Sequence, residues 1–378
     1  MNVNQFQQEL IEYAHSIGID KIGFSSADPF RELKNRLKRQ QELGYQSGFE
    51  ESDIEKRITP TLLLNEAESI ISIAIAYPSR MEDAPLGKKG ARRGIFARAS
   101  WGLDYHTVLR DRLGKLEQYI KETLTDAQTR SMVDTGELSD RAVAQRAGIG
   151  WSAKNCSVIT PEFGSYVYLG EIITNIPFAP DTPMEDECGD CRLCLDVCPT
   201  GALIEGGQLN AQRCIAFLTQ TKTTLPEEFR TKIGNRLYGC DTCQTVCPKN
   251  KGKLNTHQLE FKADPEIAKP LLVPLLTISN REFKEKYGHV SGSWRGKKPI
   301  QRNAILALAH FKEVSTVPDL IGLLMKDERP VIRGTAAWAI GKIGTSEGKQ
   351  ALEKALELEK DQEVIDEIHK GLAFETIY

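Results

Sequence analysis

Eight of the nine cysteines of this chain lie in one short stretch, from Cys188 to Cys247. The first run, CGDCRLCLDVCP, has the spacing C-x2-C-x2-C-x3-C-P, and the second, CDTCQTVCP, has the spacing C-x2-C-x3-C-P. The first spacing is that of bacterial ferredoxins, in which three close thiolates hold one [4Fe–4S] cluster and the fourth reaches another. The sequence therefore predicts a small iron–sulfur module with two clusters.

The number of ligands tests this prediction, because two such clusters need eight thiolates and the two runs supply seven. Cys214 lies between the runs and can supply the eighth. The predicted ligands are Cys188, Cys191, Cys194 and Cys247 for the first cluster, and Cys198, Cys214, Cys240 and Cys243 for the second. Two alternatives remain: two structural zinc ions, which also take four thiolates each, or a three-cysteine cluster that leaves Cys214 out. Cys156 is outside the module and is expected to be a small buried residue.

The rest of the composition restricts the class of protein. The chain has 378 residues and a formal net charge of −3, so nucleic-acid binding would require a local basic patch. The N-terminal sequence MNVNQFQQELIEYAHSIGID lacks the pattern of a signal peptide, and no apolar run approaches the ~20 residues of a membrane span. We therefore expect a cytoplasmic protein with no membrane contact. In that compartment clustered cysteines bind metals more often than they form disulfides.

Residues 1–180 alternate helical and strand patterns, which predicts a mixed α/β or α+β domain. The predicted elements are a buried strand at 69–78, a helix at 103–124, a strand ending in a turn at 129–136, and a short helix at 139–150. The segments CSVIT and GSYVYLGEIIT predict a further pair of strands, joined by a turn from Pro161 to Gly164.

The C-terminal part predicts helices alone. Residues 300–311 and 331–344 share an arginine followed by small and apolar residues, and residues 364–375 form a weaker third copy. A period in the low thirties with two helices per unit is typical of HEAT-like repeats, and an ordinary helical bundle is the alternative. The predicted domains are 1–180, the cysteine module 181–255, a connecting region 256–294 and the helical repeat 295–378.

Two stretches of the N-terminal domain carry candidate functional residues. Residues 87–110 mix basic and aromatic side chains, which suits a phosphate backbone and an unstacked base, although a solvated basic loop has the same composition. Asp134 follows a predicted strand just before a glycine turn, a common place for a catalytic carboxylate and also for a turn former. No G-x-G-x-x-G follows a strand and no P-loop is present, so nicotinamide and nucleoside-triphosphate chemistry lack support.

Several motifs together resemble the epoxyqueuosine reductase family over essentially the whole chain. They are VDTGELSDRAVAQRAGIGWSAKN, SYVYLGEI, the two cysteine runs and WRGKKPIQRNA. The resemblance implies a cobalamin-binding core similar to that of reductive dehalogenases, followed by a two-cluster ferredoxin-like module and a helical tail. It also implies the reaction: removal of the epoxide oxygen of epoxyqueuosine at the tRNA wobble position, with electrons passing through two [4Fe–4S] clusters to cob(I)alamin.

The resemblance also implies roles for individual residues. Asp134 matches the proton donor, and we expect its pKa to be raised so that it holds a proton near neutral pH. The positions that resemble corrinoid-binding ones are Arg57, Ala97, Asp134, Val158, Leu169, Cys240, Asp241, Thr242 and Cys243. Our own candidates for tRNA contacts are Arg98, Trp101, Tyr105, His106, Arg141, Arg295, Lys297, Lys298 and Arg302, and a capped, solvated helix start is the alternative for the last four. An unidentified electron donor and a monomeric state complete the expectation.

Two other functions are compatible with the cysteine module. A reductive dehalogenase would use a similar core, but the chain shows no export signal, and its basic aromatic loop and helical tail suit a large substrate. An electron-transfer protein that docks a partner through its tail would have the clusters and no corrinoid.

Overall fold

The structure is a computed structural model that describes residues 2–378. Its helices are α1 (Val3–Ser16), α2 (Arg31–Glu42), α3 (Ile54–Ile58), α4 (Tyr105–Thr123), α5 (Asp140–Arg146), α6 (Leu193–Asp196), α7 (Ile215–Leu218), α8 (Glu227–Arg230), α9 (Thr242–Thr245), α10 (Pro265–Ala268), α11 (Val273–Thr277), α12 (Asn280–Tyr287), α13 (Lys297–His310), α14 (Val317–Lys326), α15 (Pro330–Ile343), α16 (Ser346–Leu358) and α17 (Gln362–Leu372). Its strands are β1 (Lys21–Ser26), β2 (Ser69–Ala76), β3 (Ile95–Phe96), β4 (Thr129–Met132), β5 (Trp151–Ser152), β6 (Val158–Ile159), β7 (Val167–Thr174), β8 (Leu203–Glu205), β9 (Gln208–Leu209) and β10 (Arg236–Tyr238). None of these helices is both long and apolar enough to cross a membrane.

The described chain forms two compact units, each built from separate segments. The first unit contains the residues up to Arg80, 103–214 and 241–262, and the second contains 81–102, 215–240 and 263–378. Most of the cysteine module thus packs with the N-terminal segments, whereas 215–240 packs with the helical tail. The four-domain division along the sequence stays a prediction.

A four-stranded antiparallel sheet is the centre of the first unit, in the order β1-β2-β7-β4. Every residue of β2 is buried, as its continuous apolar run predicts. Helix α4 crosses one face of β7 so closely that a Cβ at Gly170 would lie 3.1 Å from a methyl group of Leu113. Because side chains alternate along a strand, Leu169 faces the other side, where it packs with Ala144 of α5. The sheet therefore holds α4 and α5 on opposite faces.

One predicted strand pairing is wrong. The segments CSVIT and GSYVYLGEIIT do form strands, β6 and β7, but they do not pair with each other. β6 pairs with β5, and β7 pairs with β2 and β4. The turn between them is closed by a short bridge from Thr160 to Gly164. The long, apolar β7 buries more surface between two strands than a local hairpin would.

Each cysteine run contains a short helix, α6 in the first run and α9 in the second, and these two helices pack against each other. A small hairpin of β8 and β9 follows the first run. The two runs thus share the same local structure, a helical turn that carries cysteines of the run.

The second unit has a helical core in which α13 and α15 are almost completely buried. The two helices start 33 residues apart, at Lys297 and Pro330, which agrees with the repeat period seen in the sequence. Arg333, the repeat counterpart of Arg302, forms an ion pair with Glu359 at 2.7 Å. Helix α15 ends at Gly344, whose φ of 79° is the left-handed conformation that favours glycine. The helical tail is thus a pair of two-helix repeats, α13–α14 and α15–α16, with a fifth helix, α17, packed on α15.

Candidate functional site

Asp134 lies in a tight turn directly after β4. Its φ is 53°, a left-handed conformation that non-glycine residues seldom adopt. The Asp134 backbone N–H donates a hydrogen bond of 3.1 Å to the carboxylate of Asp140, at the start of α5. The Asp134 side chain is 60% exposed. The turn therefore presents a carboxylate to solvent at the end of a buried sheet.

His106, in the first turn of α4, contacts two carboxylates. Its ring nitrogen Nδ1 lies 2.8 Å from Oδ1 of Asp104, which also accepts the backbone N–H of His106 as the N-cap of the helix. Its other ring nitrogen, Nε2, lies 3.4 Å from Oδ2 of Asp134. Asp104, His106 and Asp134 thus form a continuous acid–base chain that starts in the protein and ends at the exposed turn.

The electrostatics place the proton of this chain on the histidine. Burial alone would lower the pKa of His106, but the hydrogen bond with Asp104 and the ion pair with Asp134 outweigh it and raise the pKa to about 9. The same ion pair with His106, opposed by burial and helped by Tyr105, lowers the pKa of Asp134 below its ordinary value. The expectation of a raised pKa for Asp134 is therefore wrong for this structure. At neutral pH the pair carries one proton, and His106 holds it.

Tyr105 and Tyr168 form an aromatic layer next to this pair. The ring of Tyr105 stacks on His106 with centroids 4.1 Å apart, and on Tyr168 with centroids 4.6 Å apart and almost parallel planes. The stack fixes the orientation of the His106 ring, which in turn aims its Nε2 atom at Asp134.

A cavity of about 670 Å³ in the first unit adjoins the Asp134 turn. It is lined by Phe49–Ser52, Arg110, Arg130–Val133 and Thr135–Glu137. Arg130 pairs with Glu137 across its wall at 2.5 Å. The cavity is polar and open, and its volume falls within the range of ligand pockets.

Cys188, Cys191, Cys194 and Cys247 line one common cavity of the first unit. Burial, and after it the neighbouring thiols of Cys188 and Cys247, raises the pKa of Cys194. Lys154 ties the first run in place by donating hydrogen bonds to the carbonyls of Gly189 and of Cys191, the latter at 3.1 Å. Four thiols from two distant runs thus converge on one space, and this donor set fits a [4Fe–4S] cluster.

Two of the other four predicted ligands, Cys198 and Cys240, have close local contacts. The Cys198 sulfur accepts the backbone N–H of Ala202 at 3.3 Å. Burial would raise the pKa of Cys198, but backbone hydrogen bonds outweigh it and lower the pKa, which favours a thiolate. Cys240 is preceded by Gly239, where a Cβ would lie 2.5 Å from the Cβ of Ala97, so only glycine fits there.

The predicted corrinoid positions of the first unit lie near α5. Val158 is buried and packs in the apolar cluster that Leu169 borders. Arg57 is half-buried and interacts with the charges of Glu50, Arg141 and Asp140. An apolar patch beside a half-buried cation fits the edge of a large, mostly apolar ring with polar substituents. Ala97 and Cys240 belong to the second unit, whereas Asp241, Thr242 and Cys243 begin the last segment of the first.

The predicted tRNA contacts fall into those of residues 98–141 and those of the helical tail. Tyr105 and His106 lie at the Asp134 site, and the exposed Arg141 donates a hydrogen bond to the Cys156 carbonyl at 2.5 Å. Arg98 is half-buried, with its guanidinium 5.7 Å from the ring centroid of Trp101.

Two of the predicted contacts are wrong because their side chains are buried. Trp101 is 6% exposed, and its indole N–H donates to the Phe96 carbonyl at 3.0 Å. Arg302 is 1% exposed and donates to the carbonyls of Leu218, Thr221 and Thr223. Neither side chain can reach a nucleic acid from this position. The sequence pattern could not show this, because long-range packing rather than local composition buries both residues.

The three remaining predicted contacts, Arg295, Lys297 and Lys298, line a cavity of about 580 Å³ in the second unit. Its lining also contains the unpredicted Lys222, Lys326 and Arg329. Asp327 and Glu328 are the acidic residues of its lining. Lysines in the first turn of α13 oppose the helix dipole, so their presence favours a role in binding anions.

Sequence reasoning missed three carboxylates near the site: Asp104, Asp140 and Glu171. A signal existed for Glu171, because it is the one charged residue within the apolar segment VYLGEIIT of β7. Asp104 and Asp140 occupy ordinary N-terminal positions of helices, so their sequence context indicated only capping.

Comparisons with known proteins agree with this geometry. Family models match at 57–135 ("Epoxyqueuosine reductase QueG, DUF1730"), at 187–250 (4Fe-4S double cluster binding domain) and at 296–373 (HEAT repeats). The chain is 70% identical to the epoxyqueuosine reductase of Bacillus subtilis over 372 residues, covering 98% of this chain and 96% of that protein.

Solved structures give the same result. A crystal structure of epoxyqueuosine reductase with an epoxyqueuosine-modified tRNA-Tyr stem loop matches with a TM-score of 0.97 and 70% identity, over 98% of this chain and 99% of that one. A Bacillus subtilis epoxyqueuosine reductase whose aspartate-bearing catalytic loop is swung out of the active site matches with a TM-score of 0.96 and 70% identity, over the same shares of the two chains. With this identity over nearly its whole length, the chain belongs to the epoxyqueuosine reductase family.

Proposed function

We propose that this protein reduces epoxyqueuosine to queuosine at the wobble position of tRNA. The observation that carries the proposal is the match along 98% of the chain to an epoxyqueuosine reductase that binds an epoxyqueuosine-modified stem loop. The reaction takes up two electrons and two protons, and releases the epoxide oxygen as water while a C=C bond forms. The protein must therefore supply an electron path, proton donors and a binding surface for tRNA.

Two [4Fe–4S] clusters supply the electron path. Cys188, Cys191, Cys194 and Cys247 hold the first, and their convergence on one cavity supports this assignment. The ligands of the second, Cys198, Cys214, Cys240 and Cys243, rest on the sequence spacing. Bound clusters transfer electrons one at a time from an external donor.

Cobalamin is the second cofactor. Val158 and Leu169 would pack against the corrinoid and Arg57 would meet its polar substituents, while Ala97 and Cys240–Cys243 are further positions at which the family resemblance places it. When bound there, cobalamin would supply an electron-rich cobalt centre for reduction of the epoxide.

Protonation of the departing oxygen is the task of the Asp134 turn. The free-energy cost of an oxygen anion in a pocket without water is prohibitive. An acid must therefore deliver a proton as the C–O bond breaks. His106 carries that proton at rest, and Asp134 is the group that faces outward. We therefore assign delivery to Asp134 with His106 as its proton source. Asp104 holds the His106 ring in place and stabilises its positive charge.

Binding of tRNA uses two surfaces. Tyr105, Arg98 and Arg141 are candidates for contacts near the modified base. Arg295, Lys297 and Lys298, with Lys222, Lys326 and Arg329, form a cationic cavity that suits backbone phosphates. Because the substrate is tRNA, we propose that the enzyme acts in the cytoplasm. We also propose that it acts as a monomer.

One reaction tests the proposal. Protein reconstituted anaerobically with iron, sulfide and cobalamin is mixed with a chemical reductant and an epoxyqueuosine-containing stem loop, and the nucleosides are analysed by mass spectrometry. We expect the modified nucleoside to lose the mass of one oxygen. Unchanged epoxyqueuosine in the presence of reduced clusters and bound corrinoid would refute the function.

The variant Asp134→Asn tests the acid. We expect normal loading of clusters and corrinoid, and a fall in kcat of about 10²- to 10⁴-fold, the usual contribution of a general acid. Asp126→Asn, an exposed aspartate in the loop before β4, is the matched control and should turn over normally. Full activity of Asp134→Asn would show that the proton comes from another group.

A further inference from the structure

Glu171 is a buried carboxyl that the mechanism described above does not use. It lies in the middle of β7, opposite Ser72 of β2 and Met132 of β4, and its side chain is 1% exposed. Neither of its carboxyl oxygens has a hydrogen-bond partner of good geometry among residues 2–378. An ionised carboxylate in such a place is costly, so the group needs a proton or a cation.

The groups that face Glu171 are themselves acids. Asp140 approaches from α5, Asp134 lies beyond it in the turn after β4, and β2 contributes only the Ser72 hydroxyl. Burial, and then the charges of Asp140 and Asp134, raises the pKa of Glu171 well above its usual value. Burial and Asp134 likewise raise the pKa of Asp140 to about 6. Two carboxyls in contact in a buried site share a proton, and this pair therefore holds one at neutral pH.

Asp140 connects this pair to the reacting end of the site. Its carboxylate accepts the backbone N–H of Asp134 at 3.1 Å, so the two residues belong to one hydrogen-bonded turn. Asp134 itself is open to solvent on its outer side. The charge of Asp134 raises the pKa of both Asp140 and Glu171, so the three carboxyls form one electrostatically coupled group through which a proton of the pair can pass to Asp134.

The proposed reaction needs two protons, and the His106–Asp134 pair holds only one. We propose that Glu171 and Asp140 form a proton reservoir that reprotonates Asp134 for the second protonation of the departing oxygen. The first proton accompanies cleavage of one C–O bond and leaves a hydroxyl. The second accompanies cleavage of the other C–O bond and gives water and the alkene. The two electrons come from the external reductant through the clusters. This inference rests on the proposed function, and Glu171 acts through Asp134 without touching the substrate.

Infrared spectroscopy tests the reservoir without any turnover. A protonated buried carboxyl gives a C=O stretching band that shifts in D2O and is absent from carboxylates. We expect the wild-type protein to show this band at neutral pH and Glu171→Gln to lose it. Glu162→Gln removes an exposed carboxylate paired with Lys21 and should leave the band in place. A wild-type spectrum with no such band would overturn the proposal, even in an enzyme that reduces epoxyqueuosine.

Steady-state kinetics give the second test. Glu171→Gln and Asp140→Asn keep the size of each side chain, and an asparagine oxygen can still accept the Asp134 N–H. We expect KM for the stem loop to stay unchanged, kcat to fall by about 10-fold or more, and the alkaline limb of the kcat profile to move to lower pH. A loss of thermal stability with an unaltered pH profile would show that Glu171 is only structural. Wild-type protein without activity would refute the function and leave the infrared result valid.

Discussion

At the scale of single residues, Asp134 and His106 behave as one acid. The ion pair between them lowers the pKa of the carboxyl and raises that of the imidazole, so neither residue titrates as it would alone. The left-handed backbone of Asp134 costs about 1–3 kcal/mol, which the hydrogen bond from its N–H to Asp140 helps to offset. A turn held in this way keeps the carboxylate in one place while leaving it exposed.

The Asp104→Asn substitution tests the proton source. The pKa of His106 is raised to about 9, so the proton is present below that pH and is lost as the pH rises through it. Asparagine removes one of the two negative partners, and the pKa of His106 should fall toward its ordinary value of 6.5. We expect the alkaline limb of kcat to move to lower pH, with rates near the acid end unchanged. Profiles of the loaded enzyme measured over that pH range check this. An alkaline limb that stays in place would exclude His106 as the donor.

At the scale of elements, the helices and strands that the sequence predicted are present, but one predicted strand pairing is wrong. The apolar run of β2 and the helical spacing of α4 are local signals, and both elements appear within a few residues of their predicted bounds. The pairing of β7 with β2 and β4 depends on segments far apart in the chain, so the predicted local hairpin failed. The burial of Trp101 and Arg302 could not be predicted for the same reason. It depends on packing against segments that are distant in the sequence.

Helix α13 contains a buried arginine and an accessible lysine that should respond differently to substitution. Arg302→Met leaves the carbonyls of Leu218, Thr221 and Thr223 without their donor, and we expect the free energy of unfolding to fall by about 3 kcal/mol or more. Lys298→Met, four residues earlier, should change it by about 0.5 kcal/mol at most and should weaken stem-loop binding. Chemical denaturation and filter binding at fixed salt measure both effects. Equal stability of the two variants would contradict the structural role of Arg302.

At the scale of the whole molecule, the sequence indicated the chemistry more fully than the arrangement of the active site. Cysteine spacing is a one-dimensional code for a cluster, so the module could be predicted from the chain alone. The proton chain could not, because Asp104 and His106 are far from Asp134 in sequence and meet it only through the packing of α4 on β7. Glu171 adds a further example, since its neighbours Asp140 and Asp134 come from another helix and another turn.

The ninth cysteine provides a control for the cluster assignment. Cys247→Ser removes one of the four thiols that line a common cavity. We expect the first cluster to be lost while the second remains. The iron content should then fall from about eight to about four atoms per chain. Cys156 lies outside both runs, and Cys156→Ser should keep all of the iron. Iron and sulfide analysis of anaerobically reconstituted protein, with electron paramagnetic resonance of the reduced state, distinguishes the two variants. The loss of one cluster should stop epoxyqueuosine reduction with the chemical reductant, because the clusters carry its electrons. Retention of both clusters by Cys247→Ser would mean that another residue ligates the first cluster. The assignment of Cys247, a cysteine of the second run, to the first cluster would then be wrong.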